Sequence, residues 1–308
     1  MFQSESYLQN ARTTERHVTE QAAPKMQDSA PWGRLVLFAL SGLVLFSFLG
    51  CEKKYITIVQ APGYHEPRVI WVPDEYEKIQ DAILASEDGD TIRVKPGIYY
   101  EGIRFWGKSI WLESFLGPET TRIDGRGWND GIAIMDGEKS AAIRGFTISG
   151  EENGVRVLGD CNAQVQNSIF KGRANEHGGL MSGIWVTGEA HIYNCVFDSC
   201  DIGVGVGYSA GVTENSIFIK CLTGYYQGAY WNNWHRHNWN LFWNNIDDFS
   251  DRATAGDNDV FDDPQFLQGS YRLSLDSPAI NQGNPDIFDR DRTRSDIGLY
   301  GGPFSYIP

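Results

Sequence analysis

GIWVTGEAHIYNCVFDSCDIGVGVGYSAGVTENSIFIKCLTGYYQ, residues 183–227, holds two short patterns that return in step. One is a glycine followed by an apolar alternation, beginning at Gly183, Gly203 and Gly224; the other is an asparagine followed by an apolar pair, beginning at Asn194 and Asn215. Working upstream, the first pattern recurs at Gly154 and Gly131 and the second at Asn167 and Gly145, with a looser copy downstream at Trp239. Successive members lie 20 to 29 residues apart in both series. Each unit is too short to bury a core alone, so neighbouring units must stack, and strands of four to six residues separated by bends make the stack a parallel β-helix.

Stacking at about 4.8 Å sets equivalent residues above one another. Asn167, Asn194 and Asn215 are therefore expected to form an internal amide ladder at a bend. Cys200 and Cys221 follow equivalent phenylalanines by three residues and come within disulfide range, a free thiol stack being the alternative. Alternation along the strands sends Ala133, Arg156, Trp185, Gly205 and Tyr226 outward in one column. Trp185 and Tyr226 fall two rungs apart, about 9.6 Å, a spacing suited to two sugars of an extended chain, with Arg156 on the same line to meet an anionic group.

Two longer connections interrupt the period. RANEHGGLM from Arg173 brings Glu176 and His177, and YYQGAYWNNWHRHNW from Tyr225 gathers Trp231, Trp234, His235, Arg236 and His237. Long loops on a rigid solenoid are common binding sites. A histidine there is a candidate general base, with Arg236 to stabilise charge. If this segment and the outward column form one site, they share a groove. Asp198, Asp201, Glu189 and Glu214 are candidate carboxylates that no motif selects. Asp289, Asp291 and Asp296 alternate with arginines, which reads as a salt-bridged turn rather than a calcium loop. No metal or other cofactor is expected.

Ahead of the repeats, Ile79, Ala82, Ile83 and Ala85 share one helical face; Asp74 is the expected N-cap and Gly89 the stop, giving a capping helix over 74–88. Residues 52–71 read as a linker, 72–308 as the solenoid and 257–308 as its C-terminal cap. Leu35 to Leu49 is an uncharged apolar run of fifteen residues, short for a membrane span. It suits a signal-peptide core ending at Gly50-Cys51, where Cys51 is the expected lipidation site and Met26 the expected true start of the 1–51 segment. A short uncleaved anchor is the alternative.

The net charge is −14, and the first 50 residues carry four acidic and four basic side chains, so the deficit belongs to the body. Such a surface argues against nucleic acid as a partner. A polyanionic polysaccharide would need a local basic patch or a bridging cation.

KIQDAI, DGDTIRVKPGIY and TTRIDG, with DDPQFLQGSYRLSLDSPAINQGNPD and RSDIGLYGG near the end, resemble the pectin-lyase-like superfamily of right-handed parallel β-helix proteins, in an uncharacterised bacterial lipoprotein-like subset. The resemblance covers most of residues 72 to 302 and implies an all-β, right-handed solenoid with a short N-terminal capping α-helix. These motifs belong to caps and turns and specify function poorly. The signatures of the family's methylesterases, polygalacturonases and pectate lyases are absent, so no active site is carried over. The expectation is an exported, lipid-anchored protein of the cell envelope, periplasmic or at the cell surface, that binds a polysaccharide or another extracellular ligand, with no catalytic activity demonstrable from the sequence. The alternative is a polysaccharide lyase or glycoside hydrolase acting on a uronate-containing chain.

Overall fold

The computed structural model describes residues 65–172, 182–228 and 234–306, together with the backbone of three strands near the N-terminus. It forms two units, Met1–Tyr64 and His65–Pro308. In the first, Val36–Leu40, Leu43–Ser47 and Thr57–Gln60 make an antiparallel sheet. Cys51 and Met26 lie outside the described residues. Among the described residues no helix is long and apolar enough to cross a membrane.

The second unit is all-β: a parallel β-helix of about seven turns, each turn giving one strand to each of three parallel sheets. Face I runs from Ile103–Arg104 to Asp247–Asp251, face II from Val69–Val72 to Trp234–Asn238, and face III from Gly97–Tyr99 to Leu241–Trp243. The glycine series starts face I strands and the asparagine series starts face III strands. Face II lies between them and has no repeated motif of its own. Its first strand, Val69–Val72, precedes the helix, so the solenoid begins inside the segment expected to be linker.

The two series explain each other. Phe170, Phe197, Phe218 and Phe242 stack inside the coil with centroids 5.0, 4.7 and 4.7 Å apart. Opposite them stand Gly154, Gly183, Gly203 and Gly224. A Cβ on Gly203 would lie 2.5 Å from the Gly224 carbonyl oxygen and 2.6 Å from the Phe218 ring. Glycine recurs because the ring stack and the next rung leave no room for a side chain.

The helix is shorter than expected, Ile79–Ala85, with Ile79, Ala82 and Ile83 buried against Val69–Val72, Thr91–Val94 and Ile103–Arg104. Asp74 is not its cap. The Glu101 carboxylate accepts the Ile79 and Gln80 amides, both at 3.0 Å, while Asp74 takes Lys95 at 2.6 Å. A carboxylate one turn of the solenoid away satisfies the exposed amides as well as a local cap does.

The largest departure concerns the C-terminal segment. Val260 bridges Leu241 at the last turn, but the rest runs back along the flank, and Tyr306 donates to Ser114 O near the other end. Ala279, Ile297 and Leu299 bury the outer side of face III against Ile169, Val196, Ile217 and Leu241. It is a strap more than an end cap. The asparagine ladder holds it: Asn167 Nδ2 donates to Leu299 O and Gly301 O, and Asn194 Nδ2 to Asp296 O and Gly298 O. Asn215 donates to Ser295 Oγ and accepts the Asn284 amide. The amides thus point at the strap rather than along the stack, because each residue sits at positive φ (44°, 52° and 54°), which turns its side chain out of the bend.

Cys200 and Cys221 are free thiols. Residues on consecutive parallel rungs send their Cβ atoms in the same direction, leaving them a full strand spacing apart, beyond the roughly 3.8 Å a disulfide needs. The two thiols meet as neighbours on consecutive rungs, the free thiol stack of the alternative reading, and each sulfur also faces a carbonyl, Phe170 O at 3.5 Å and Phe197 O at 3.6 Å. Asp289, Asp291 and Asp296 accept amides within the strap, and Arg290 and Arg294 donate to carbonyls, so among the described residues these groups make hydrogen bonds to the backbone in place of the expected salt bridges.

Candidate functional site

The outward column of face I has the expected register: Ala133, Arg156, Trp185, Gly205 and Tyr226 pair in succession. Its surface differs from the expected one. Trp185 lies over Gly205, where a Cβ would stand 2.4 Å from the indole, and its ring stacks on Tyr226 with centroids 5.9 Å apart. Without a side chain between them the rings close on each other, so no gap remains to seat two sugars. Arg156 is committed to the buried Asp130, which also accepts Asn153.

Trp234–Asn238 is a face II strand, and its alternation divides the expected cluster. Trp234, 74% exposed, and Arg236 point outward. His235 turns inward, with Nε2 3.0 Å from Thr213 Oγ1 and Nδ1 3.1 Å from Ala210 O. His237 is also turned in, its ring 4.3 Å from Tyr225 and its Nδ1 3.2 Å from Asp259. Both rings are largely buried, His235 at 4% exposure and the His237 side chain at 8%, although both residues border the cleft below. Trp231, Glu176 and His177 lie outside the described residues.

Burial pushes His235 down to about 3, which keeps the folded imidazole neutral. The unfolded chain takes up this proton near pH 6.5, so the stability is complete above that pH and is lost as pH falls toward 3. Comparing urea unfolding of the wild type and His235→Gln between pH 7 and 4, we expect the wild type to lose up to about 1.4 kcal/mol per pH unit more than the variant. Parallel pH profiles would show that the imidazole is not buried uncharged.

The outward residues border a cleft of about 810 Å³. Glu189, His191 and Tyr193 alternate along one wall, Val212 and Glu214 follow on the next rung, and Trp234 and Arg236 on the last, with residues 254–257 completing the lining. His191 Nε2 lies 3.0 Å from Glu189 Oε1, and its ring stacks on Tyr193. Glu214 accepts the Asn284 amide group at 2.8 Å; burial raises its pKa, opposed by that hydrogen bond and by Arg236. Burial also raises Tyr193, with the charge of Glu214 adding to it.

Glu189 pairs with Ala210, four residues before Glu214, which sets the two glutamate backbones about 13 Å apart along the strand, and each carboxylate is engaged separately, Glu189 with His191 and Glu214 with Asn284. Facing carboxylates in glycosidases stand roughly 5 to 9.5 Å apart. Asp198 is on face III, under the strap, where Tyr271 donates to it at 2.7 Å. Among the described residues no group of three or more His, Cys, Asp or Glu side chains is placed to hold a metal.

Residue identity alone did not single out His191 and Tyr193. The alternation in EAHIY carried the signal, but face II has no repeated motif to draw attention to it. The two sets of candidate residues occupy different faces, Arg156, Trp185 and Tyr226 on face I and Trp234 and Arg236 on face II.

No family model and no curated protein matches the chain. Among solved structures, pectate lyase Pel9A matches at 14% identity and a TM-score of 0.37, over 77% of this chain and 97% of that one. The parallel β-helix rests on the strand register itself.

Proposed function

We propose that this protein is an exported, lipid-anchored β-helix of the cell envelope that binds carbohydrate in the face II cleft. The exposed indole of Trp234, standing at the rim of a cleft lined by Glu189, His191, Tyr193 and Arg236, carries the reading. A sugar presents an apolar ring face to an aromatic side chain and hydroxyls to carboxylate, imidazole and guanidinium groups. Glu189, Glu214 and Asp257 outnumber Arg236 along the lining, which favours a neutral glycan over a uronate chain. Binding rather than turnover is favoured by the engagement of the His235 imidazole with Thr213 Oγ1 and Ala210 O and of the Glu189 and Glu214 carboxylates with His191 and Asn284. Export and the anchor are supported by the apolar run before Cys51.

Calorimetric titration with a panel of neutral and uronate oligosaccharides tests it. At least one neutral glycan is expected to bind, and Trp234→Ala to weaken it about tenfold, a change of ~1.4 kcal/mol in line with loss of an aromatic stacking contact. Absence of binding across the panel, or release of unsaturated products or new reducing ends, would count against this role.

A further inference from the structure

Toward the N-terminal end of face II a second cleft, of about 510 Å³, has the opposite charge. Arg93, Arg144 and Arg290 line it with a single carboxylate, Glu113, in a chain whose net charge is −14. Arg93, Glu113 and Arg144 occupy one outward column on successive rungs. Glu113, 5% exposed, accepts Arg93 Nε at 2.7 Å on one oxygen and Arg144 Nη2 on the other. Aromatic rings hold the guanidiniums from the side, Trp71 at 5.3 Å from Arg93, and Trp111 and Phe304 at 5.9 and 5.2 Å from Arg144. Arg290 arrives from the strap, where its Nη1 donates to Ser305 O at 3.0 Å.

Neutralising a buried carboxylate takes one cation, and this cleft has three. The two remaining positive charges sit on forks already fixed by Glu113, by aromatic faces and by the strap, so a bound anion would not have to order them. Guanidinium forks match tetrahedral oxyanions in a bidentate manner. We propose that this cleft binds a dianionic oxyanion group of the phosphate-monoester class. The site shares no lining residue with the glycan cleft and stands independently of it.

Isothermal titration with inorganic phosphate near pH 8, against chloride at matched ionic strength, tests the site. Saturable binding of one phosphate is expected, about tenfold weaker in Arg290→Gln, as loss of one charged donor implies. Arg290 is exposed and outside the core, so this variant keeps the fold, and Arg290→Lys, retaining charge without the fork, should fall between the two. Sulfate, of like shape and charge, should displace phosphate. Phosphate binding no tighter than chloride, equal binding by Arg290→Gln, or failure of sulfate to compete would each overturn the proposal.

Discussion

Phe197→Ala should lower the unfolding free energy by about 4 kcal/mol, measured as a shift of the urea midpoint at unchanged slope. The ring is fully buried in the interior stack, between Phe170 at 5.0 Å and Phe218 at 4.7 Å. Most cores recover part of a deleted ring by collapsing. Here the backbone rungs above and below are held at the β spacing by parallel ladders on three faces, so the void persists and the neighbouring rings lose their contacts. Phe197→Leu retains most of the volume and should lose less than half as much. Equal, small losses for both variants would mean that the ring stack is not what holds the coils in register.

The second large effect is expected at the bend between faces II and III. Asn194→Ala removes two donors, to Asp296 O at 3.0 Å and Gly298 O at 3.1 Å, and leaves alanine at φ 52°. Losing two buried hydrogen bonds costs about 1 kcal/mol each, and the left-handed backbone adds about 1 more for a residue without a side-chain amide. We expect a loss of about 3 kcal/mol, with the 257–306 strap cut by protease well before the coils are. Asn194→Gly relieves the backbone but restores no donor, so it should recover about 1 kcal/mol and still release the strap. A strap as resistant in Asn194→Ala as in the wild type would show that apolar burial on face III holds it unaided.

These two residue types also mark how far the fold was legible. Glycine at 131, 154, 183, 203 and 224 and phenylalanine or isoleucine in the matching series encode a steric relation between adjacent rungs, which repeats whenever the rung repeats. Periodicity of that kind is local and survives in one dimension, so the parallel coil, its interior and the outward column of face I could all be read along the chain. Asn167, Asn194 and Asn215 were legible as a ladder, but their partners lie 69 to 134 residues away in the strap, and no spacing records such a contact.

The site followed the same division. Alternation along a strand assigns inside and outside, and it places Trp234 and Arg236 on one side and His235 and His237 on the other once the strand is known. Residues 225–239 look like one irregular loop because aromatic and cationic side chains obscure the period, so four residues adjacent in sequence passed for one cluster. Composition and repeat period were enough for the fold class, the acidic body and the stacking order. Folding in three dimensions settled the rest: the return path of the strap, the closing of Trp185 onto Tyr226 over Gly205, and the meeting of Arg290 from the strap with Arg93, Glu113 and Arg144 in one cleft. Those depend on contacts between segments far apart in the chain, which shape and burial select and local pattern does not.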